Sequence, residues 1–406
     1  MQTNRLRNIL VGIVAAAVVS LFLLSSSSTL RKNLAKRDSI AYWAAGRLLI
    51  HHDDPYSPID VLNLERSQAY SENKPLVLRT PPWSLFIVLP LGLTNAFAAW
   101  VLWITASLTA LVCSVRLCWK VYGDEPSPPA IFLLVAYLFA PVPACLVAGQ
   151  MGLVLLLGLI VFLRSESNRP FFAGASLILP FAKPHLLSLF WIVVAIWTIE
   201  RKNRALVAGF VTSLTGATCI ALIFDPAIFS HYTAMLNQAA IGHEFIPALS
   251  GIIRLLFFPR LFWVQFVPLA LGLVWSGWFY GKNRSNWNWR VHGPALMVVS
   301  VLTTPYAWLT DEVVLLPAVL QAVIWASEKK DRLSAMAKIA VTIFAALNVL
   351  LLLILKAKVA FSTGIYFWSS LVWFGWYFYA RKFQPAPIEL TTAALSRLKT
   401  SVHSLR

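Results

Sequence analysis

Residues 95–119 read NAFAAWVLWITASLTALVCSVRLCW, and this stretch decides the architecture. An apolar run of that length crosses the ~30 Å hydrocarbon core of a bilayer, which takes about 20 helical residues. Inside hydrocarbon the backbone has no water to bond, so the run must be a helix that satisfies its own N–H and C=O groups. Comparable runs recur near 130–147, 151–163, 171–182, 185–199, 205–224, 261–280, 293–308, 312–326, 334–355 and 359–380 of the 406-residue chain. The block Pro81–Leu93 is too short to span and reads as a half-helix buried in protein. Together the runs predict an all-α, polytopic transmembrane helix bundle of about 11–13 spans.

Composition agrees. The chain is 58% hydrophobic and 13% charged, with a mean hydropathy of +0.70, whereas a soluble domain carries about 25% charged residues. Its formal net charge is +17, from 34 basic and 17 acidic residues. In a soluble protein that balance would point to nucleic acid. Here the cations punctuate apolar runs, as in Glu200-Arg201-Lys202-Asn203-Arg204, Lys282-Asn283-Arg284 and Lys329-Lys330-Asp331-Arg332. That is the pattern of cytoplasmic loops facing anionic lipid, so membrane lipids are expected partners and nucleic acid is not.

The first run, Ile9 to Leu24, continues to Leu30 behind Arg5 and Arg7 and reads as a retained first span with a cytoplasmic N-terminus. Residues 31–80 then form the first extracytoplasmic loop and 225–250 a second polar loop. Residues 1–380 make one bundle, and 381–406 a basic cytoplasmic tail. The expected location is a cell (inner or plasma) membrane, crossed many times. Cys113, Cys118, Cys145 and Cys219 lie inside apolar runs without metal-ligand spacing and read as small hydrophobes. No metal and no cofactor is expected. The 17 tryptophans gather near run ends, Trp83, Trp100, Trp287 and Trp289 among them, as interface belts do.

Ionisable groups at membrane depth are expensive, so they are where chemistry is sought. Asp38 heads Asp38-Ser39-Ile40-Ala41-Tyr42-Trp43-Ala44-Ala45-Gly46-Arg47, just after the first apolar run. Asp is also a favoured N-cap, and the helix behind it, with Ile40, Trp43, Ala44 and Leu48 on one face, suits a position flat on the membrane. Arg79-Thr80-Pro81-Pro82-Trp83 reads as a helix start, or as a cation at the membrane mouth for an anionic headgroup. Gly149-Gln150-Met151-Gly152 places an amide in a tight turn between two apolar runs. Lys183, in Lys183-Pro184-His185, must snorkel, pair or meet an anion. Residues 303–312, with Tyr306, Trp308, Asp311 and Glu312, combine aromatic faces with acceptors, as a sugar site does. A loop with a capping acid reads the same way.

In this order the motifs are recognisable. Asp38 followed by Tyr42-Trp43, Gly46-Arg47, then Asp54-Pro55-Tyr56 and Pro81-Pro82, resembles family 87 glycosyltransferases. Gly149-Gln150, Ala173-Gly174 with Lys183-Pro184, and Thr304-Pro305-Tyr306-x-Trp308-x-x-Asp311…Leu315-Leu316-Pro317 are similar to its later blocks. The chain departs from the family at Arg79-Thr80, where aromatic residues are usual, and at Lys183, which proline follows directly.

The resemblance implies a GT-C fold, with interfacial helices in the first loop and the active site at the extracytoplasmic face. It implies transfer of mannose or another hexose from a polyprenyl-phosphate donor to a lipid or glycan acceptor. Asp38 then matches the catalytic base, Arg79 and Lys183 fall to the donor phosphate, and Tyr42, Gln150, Tyr306, Trp308 and Asp311 to the substrates. Inverting transfer needs one carboxylate to deprotonate the attacking hydroxyl, while hydrolysis needs two that face each other. The rivals are a lipid or glycan transporter and a non-catalytic membrane assembly subunit. Transport folds are often built on internal repeats, and none is evident here.

Overall fold

The computed structural model describes residues 37–123, 125–239, 246–327, 333–360 and 363–384. The expected first span and nearly all of the basic tail lie outside the described residues. Within them all regular structure is helical, with no strand.

Local chemistry sets the helix ends. Asn95 Oδ1 accepts the Ala98 N–H (2.9 Å) to open the Ala96–Tyr122 helix, and Asn203 Oδ1 accepts the Leu206 N–H (3.2 Å) to open Arg204–Phe224. Prolines supply the breaks. Pro141 separates Ala130–Leu138 from Pro141–Ala148 with a bend of 42°. Pro180 and Pro184 bracket Lys183, where Pro170–Ala182 and Pro184–Glu200 meet at 116°. Each proline removes a backbone donor, so the chain turns where the ladder is already open.

Four helices are long and apolar enough to cross a membrane: Ala96–Tyr122, Arg204–Phe224, Phe262–Asn286 and Leu309–Ala326. The number rises to 6 if each bent pair is one span. An integral, multi-pass membrane protein follows, with fewer full-length spans among the described residues than the eleven to thirteen expected. The apolar runs are there, but proline breaks divide them and leave short pieces such as Pro82–Gly92 and Gly152–Ser165. The first three candidates show most of their surface to the outside. Leu309–Ala326 is buried along its whole length and forms the centre of the bundle.

The Asp38–Ile50 helix does not lie flat on a surface. Ser39 to Gly46, Leu48 and Leu49 are all buried, so it is covered on every face. It packs on Leu85–Gly92 with backbones in contact: a Cβ on Gly92 would sit 2.2 Å from the Gly46 carbonyl, and one on Gly46 2.5 Å from the Val88 oxygen. The half-helix expected at Pro81–Leu93 is this partner. Trp287 and Trp289 are likewise buried rather than interfacial, in an edge-to-face aromatic cluster with Phe162, Phe190, Trp197 and Tyr280. Their position at run ends suits an interface belt, but packing between helices has taken them into the interior.

Candidate active site

Asp38 is the first residue of its helix, and Arg37 occupies the cap position without a side-chain cap bond. The Asp38 carboxylate is therefore not a cap. Its Oδ2 accepts a hydrogen bond from the Gln150 amide Nε2, across 112 residues of sequence. On the other side of that amide, Gln150 Oε1 accepts both the Tyr42 hydroxyl (3.1 Å) and the Lys183 ammonium (3.0 Å). Two donors on one side and a carboxylate on the other fix the orientation of the amide.

Gln150 is held there by a left-handed turn. Gly149 closes the Pro141–Ala148 helix at φ 73°, a conformation glycine adopts without strain. Its carbonyl accepts the Trp103 indole N–H (2.8 Å), and a Cβ would meet Ser39 Oγ at 3.0 Å. The Gln150 N–H bonds the Cys145 carbonyl (3.0 Å), and the Cys145 thiol reaches the Gln150 carbonyl at 3.3 Å. Trp103 also meets the Tyr42 ring edge-on, centroids 5.0 Å apart. Trp103 and Cys145 carried no polar signature in the sequence, because an indole and a thiol inside apolar runs read as filler.

Lys183 emerges from the 116° break and pairs with Asp311 Oδ1 at 2.7 Å. Asp311 is fully buried, and its second oxygen accepts the Trp308 backbone N–H at 3.1 Å. The Tyr306 and Trp308 rings stand 6.2 Å apart, and the Tyr306 ring meets His185 edge-on at 5.6 Å. The Thr304 hydroxyl donates to the His185 carbonyl (2.8 Å), joining the 303–312 segment to the break. Of the two adjacent acids only Asp311 faces this network. Glu312 turns to the last described long helix, Trp368–Ala380, accepting Ser369 Oγ (2.6 Å) and Trp373 Nε1 (2.8 Å).

Seven of the eight expected site residues thus form one connected cluster: Asp38, Tyr42, Gln150, Lys183, Tyr306, Trp308 and Asp311. Arg79 stands exposed at its edge, close enough for its charge to act on Tyr306. Burial raises the Asp38 carboxyl above the usual range, opposed by the Gln150 hydrogen bond and the Lys183 charge. Burial also keeps Tyr42 and Tyr306 well protonated. The result is a basic carboxylate, a cation and two phenol donors in one place.

The glycosyltransferase family 87 profile matches residues 80–353. The chain belongs to glycosyltransferase family 87. None of the curated proteins and none of the solved structures matches it. As a family 87 glycosyltransferase it is a membrane enzyme that moves a sugar from a donor to an acceptor. The matched residues contain Gln150, Lys183, Tyr306, Trp308 and Asp311; Asp38, Tyr42 and Arg79 precede them. The Gln150–Asp38 and Tyr42–Gln150 bonds are among the contacts that join the two parts.

One other group could hold a cation. Asp54, Asp225 and His231 bring their ligand atoms within 4.8 Å of one another. His231 Nδ1 lies 2.7 Å from Asp225 Oδ2 and 3.7 Å from Asp54 Oδ1, so the group ties the first polar segment to the second. Each aspartate precedes a proline and accepts the N–H two residues on, from Tyr56 and Ala227.

Proposed function

We propose that this family 87 enzyme transfers a hexose, with mannose the leading candidate, from a polyprenyl-phosphate donor to a lipid or glycan acceptor. The reaction inverts the anomeric centre at the extracytoplasmic face of the membrane. The observation that carries the reading is one basic carboxylate, Asp38, wired through a single amide to one buried cation, Lys183.

In the proposed step the acceptor hydroxyl gives its proton to Asp38 as its oxygen bonds the anomeric carbon. The bond from that carbon to the phosphate oxygen breaks in line, so configuration inverts. Polyprenyl phosphate departs as an anion. Lysine has three N–H donors; Gln150 and Asp311 take two, and the third is available to the phosphate. Arg79 at the edge adds a second cation, and the leaving group needs no protonating acid because it is already a phosphate. Asp311 cannot serve as the facing acid of a hydrolase, since it is spent on Lys183 and the Trp308 N–H. Tyr306 and Trp308 offer the aromatic faces against which a sugar packs, and Tyr42 and Gln150 bound the acceptor side.

Asp38→Asn tests this. In proteoliposomes with a labelled polyprenyl-phosphate hexose, it should lower transfer by roughly 10²–10⁴-fold, the usual weight of a general base, while the protein elutes and melts as the wild type. Near-normal turnover would remove Asp38 from the mechanism. Movement of the lipid across the bilayer without covalent transfer by the wild type would favour a transporter.

A further inference from the structure

Lys183 owes its place to a break in the chain, and the backbone at that break is one donor short. Its bonds run in the tight 3₁₀ pattern: the Ala182 N–H meets the Leu179 carbonyl (3.1 Å), and the Lys183 N–H meets the Pro180 carbonyl (3.2 Å). The next bond in the series would carry the N–H of residue 184 to the Phe181 carbonyl. Residue 184 is proline and has no N–H. A backbone carbonyl inside a helical bundle then needs a donor from elsewhere.

Trp83 supplies that donor. Its indole N–H donates to the Phe181 carbonyl at 3.0 Å, across 98 residues of sequence. The short Pro82–Ser84 turn delivers it. The Trp83 ring also stacks on the Phe181 ring, with centroids 5.3 Å apart and planes 20° from parallel. Phe181 in turn meets Trp191 edge-on at 5.1 Å. Phe181 belongs to one limb of the 116° break and Trp191 to the other, so the stack and the hydrogen bond hold both limbs together. A tryptophan of an interface belt turns its N–H to water or headgroups. Trp83 instead turns it on the backbone two residues before Lys183.

We propose that Trp83 is the positioning residue for Lys183: its indole N–H replaces the bond that Pro184 cannot make and so aims the ammonium at Gln150 and Asp311. From the break, the Lys183 side chain must reach Gln150 Oε1 (3.0 Å) and Asp311 Oδ1 (2.7 Å) together. A hinge left free at Phe181 would spread the ammonium over many directions, and a cation loosely placed is a weak one. Trp83 touches no substrate in this role. Its effect on transfer rests on Lys183 holding the donor phosphate, whereas its hold on Lys183 does not.

The experiment measures how fast Lys183 of the full chain in proteoliposomes is methylated by formaldehyde and cyanoborohydride, followed peptide by peptide by mass spectrometry. Trp83→Phe keeps a ring for the stack and removes the N–H. Methylation of Lys183 should then quicken about fivefold, the weight of one ordinary hydrogen bond. The KM for the donor should rise by a similar factor while the KM for the acceptor stays. Trp373→Phe, which takes an indole N–H from buried Glu312, is the control for general loosening and should leave Lys183 as slow as in the wild type. Pro184→Ala returns an N–H to residue 184, and in that background Trp83→Phe should quicken methylation by no more than about twofold, since the two sites share one role. Melting curves show which variants are folded. If Trp83→Phe alone is not, recovery of its fold by Pro184→Ala supports the assignment and failure to recover overturns it. Unchanged Lys183 reactivity in folded Trp83→Phe, an equal rise in Trp373→Phe, or an undiminished effect in the Pro184→Ala background overturns the proposal. A reactive Lys183 with an unchanged donor KM upholds it and removes Lys183 from the donor phosphate instead.

Discussion

Replacing Lys183 with methionine would strip the charge from a pair whose side chains are 12% and 0% exposed, leaving Asp311 buried with only the Trp308 N–H at 3.1 Å. Removing one partner of a buried pair costs about 3–5 kcal/mol, because the remaining charge is stranded. Lys183→Met/Asp311→Asn removes both charges and keeps an acceptor for the Trp308 N–H. It should lose only about 1–2 kcal/mol, less than the single variant does, which is the mark of coupling between the two sites. Unfolding entropy near 2.1 cal/mol/K per residue gives about 0.85 kcal/mol/K for a chain of this size. The single variant should then melt about 5 °C below the wild type in detergent and the double variant only about 2 °C below. Transfer should be lost in both, since each lacks the cation proposed to hold the donor phosphate. A single variant that melts within a degree of the wild type, or a double variant as unstable as the sum of its parts, would refute the account of Lys183 as a buried paired cation.

Three further outcomes follow from named contacts. Gly149→Ala forces a Cβ into a backbone with φ 73° and to 3.0 Å from Ser39 Oγ; it should cost about 1–2 kcal/mol and reduce transfer further than stability, because Gln150 is carried with the turn. Trp373→Phe removes the indole donor from Glu312 and should lower stability by about 1.5–3 kcal/mol, seen as a lower melting temperature, while leaving the contacts of Asp38, Gln150, Lys183 and Asp311 intact. Burial raises Glu65 to about 7 although both its oxygens face the Leu76 N–H. The folded state therefore holds a proton that the unfolded chain releases near pH 4.5. Its stabilising contribution is full below that pH and lost as pH rises through 7, by on the order of 1–2 kcal/mol after solvent screening. Melting temperatures from pH 4.5 to 8 should show this slope in the wild type, and Glu65→Gln should flatten it.

Much of the site was legible because polar residues in apolar runs are costly and therefore conspicuous. Gln150, Lys183 and Asp311 each stood out in that way, and each belongs to the cluster. Their convergence was not legible, since it depends on the break at Lys183 and the left-handed turn at Gly149, both set by tertiary packing. Asp38 was conspicuous too, but its apparent role as a cap gave way to a partner more than a hundred residues distant. The surface position expected for its helix failed because periodicity reports an apolar face and cannot see a neighbour that covers the other one. His231 escaped notice for the same reason: its partners Asp54 and Asp225 lie in two separate polar segments. Among the described residues fewer helices are long enough to span than there are apolar runs, because breaks such as those at Pro141 and Pro184 divide the runs.

The hydrogen bonds from Ser369 and Trp373 to Glu312 bear on how the enzyme is made. Glu312 and Asp311 open a helix surrounded by protein on all sides, and two neighbouring acids give such a segment little reason to remain in lipid by itself. Its partners in the Trp368–Ala380 helix, Ser369 and Trp373, leave the ribosome 57 and 61 residues later. Until then Glu312 lacks these two donors, while Asp311 already has Lys183. Closure of the bundle around Glu312 thus waits for the Trp368–Ala380 helix.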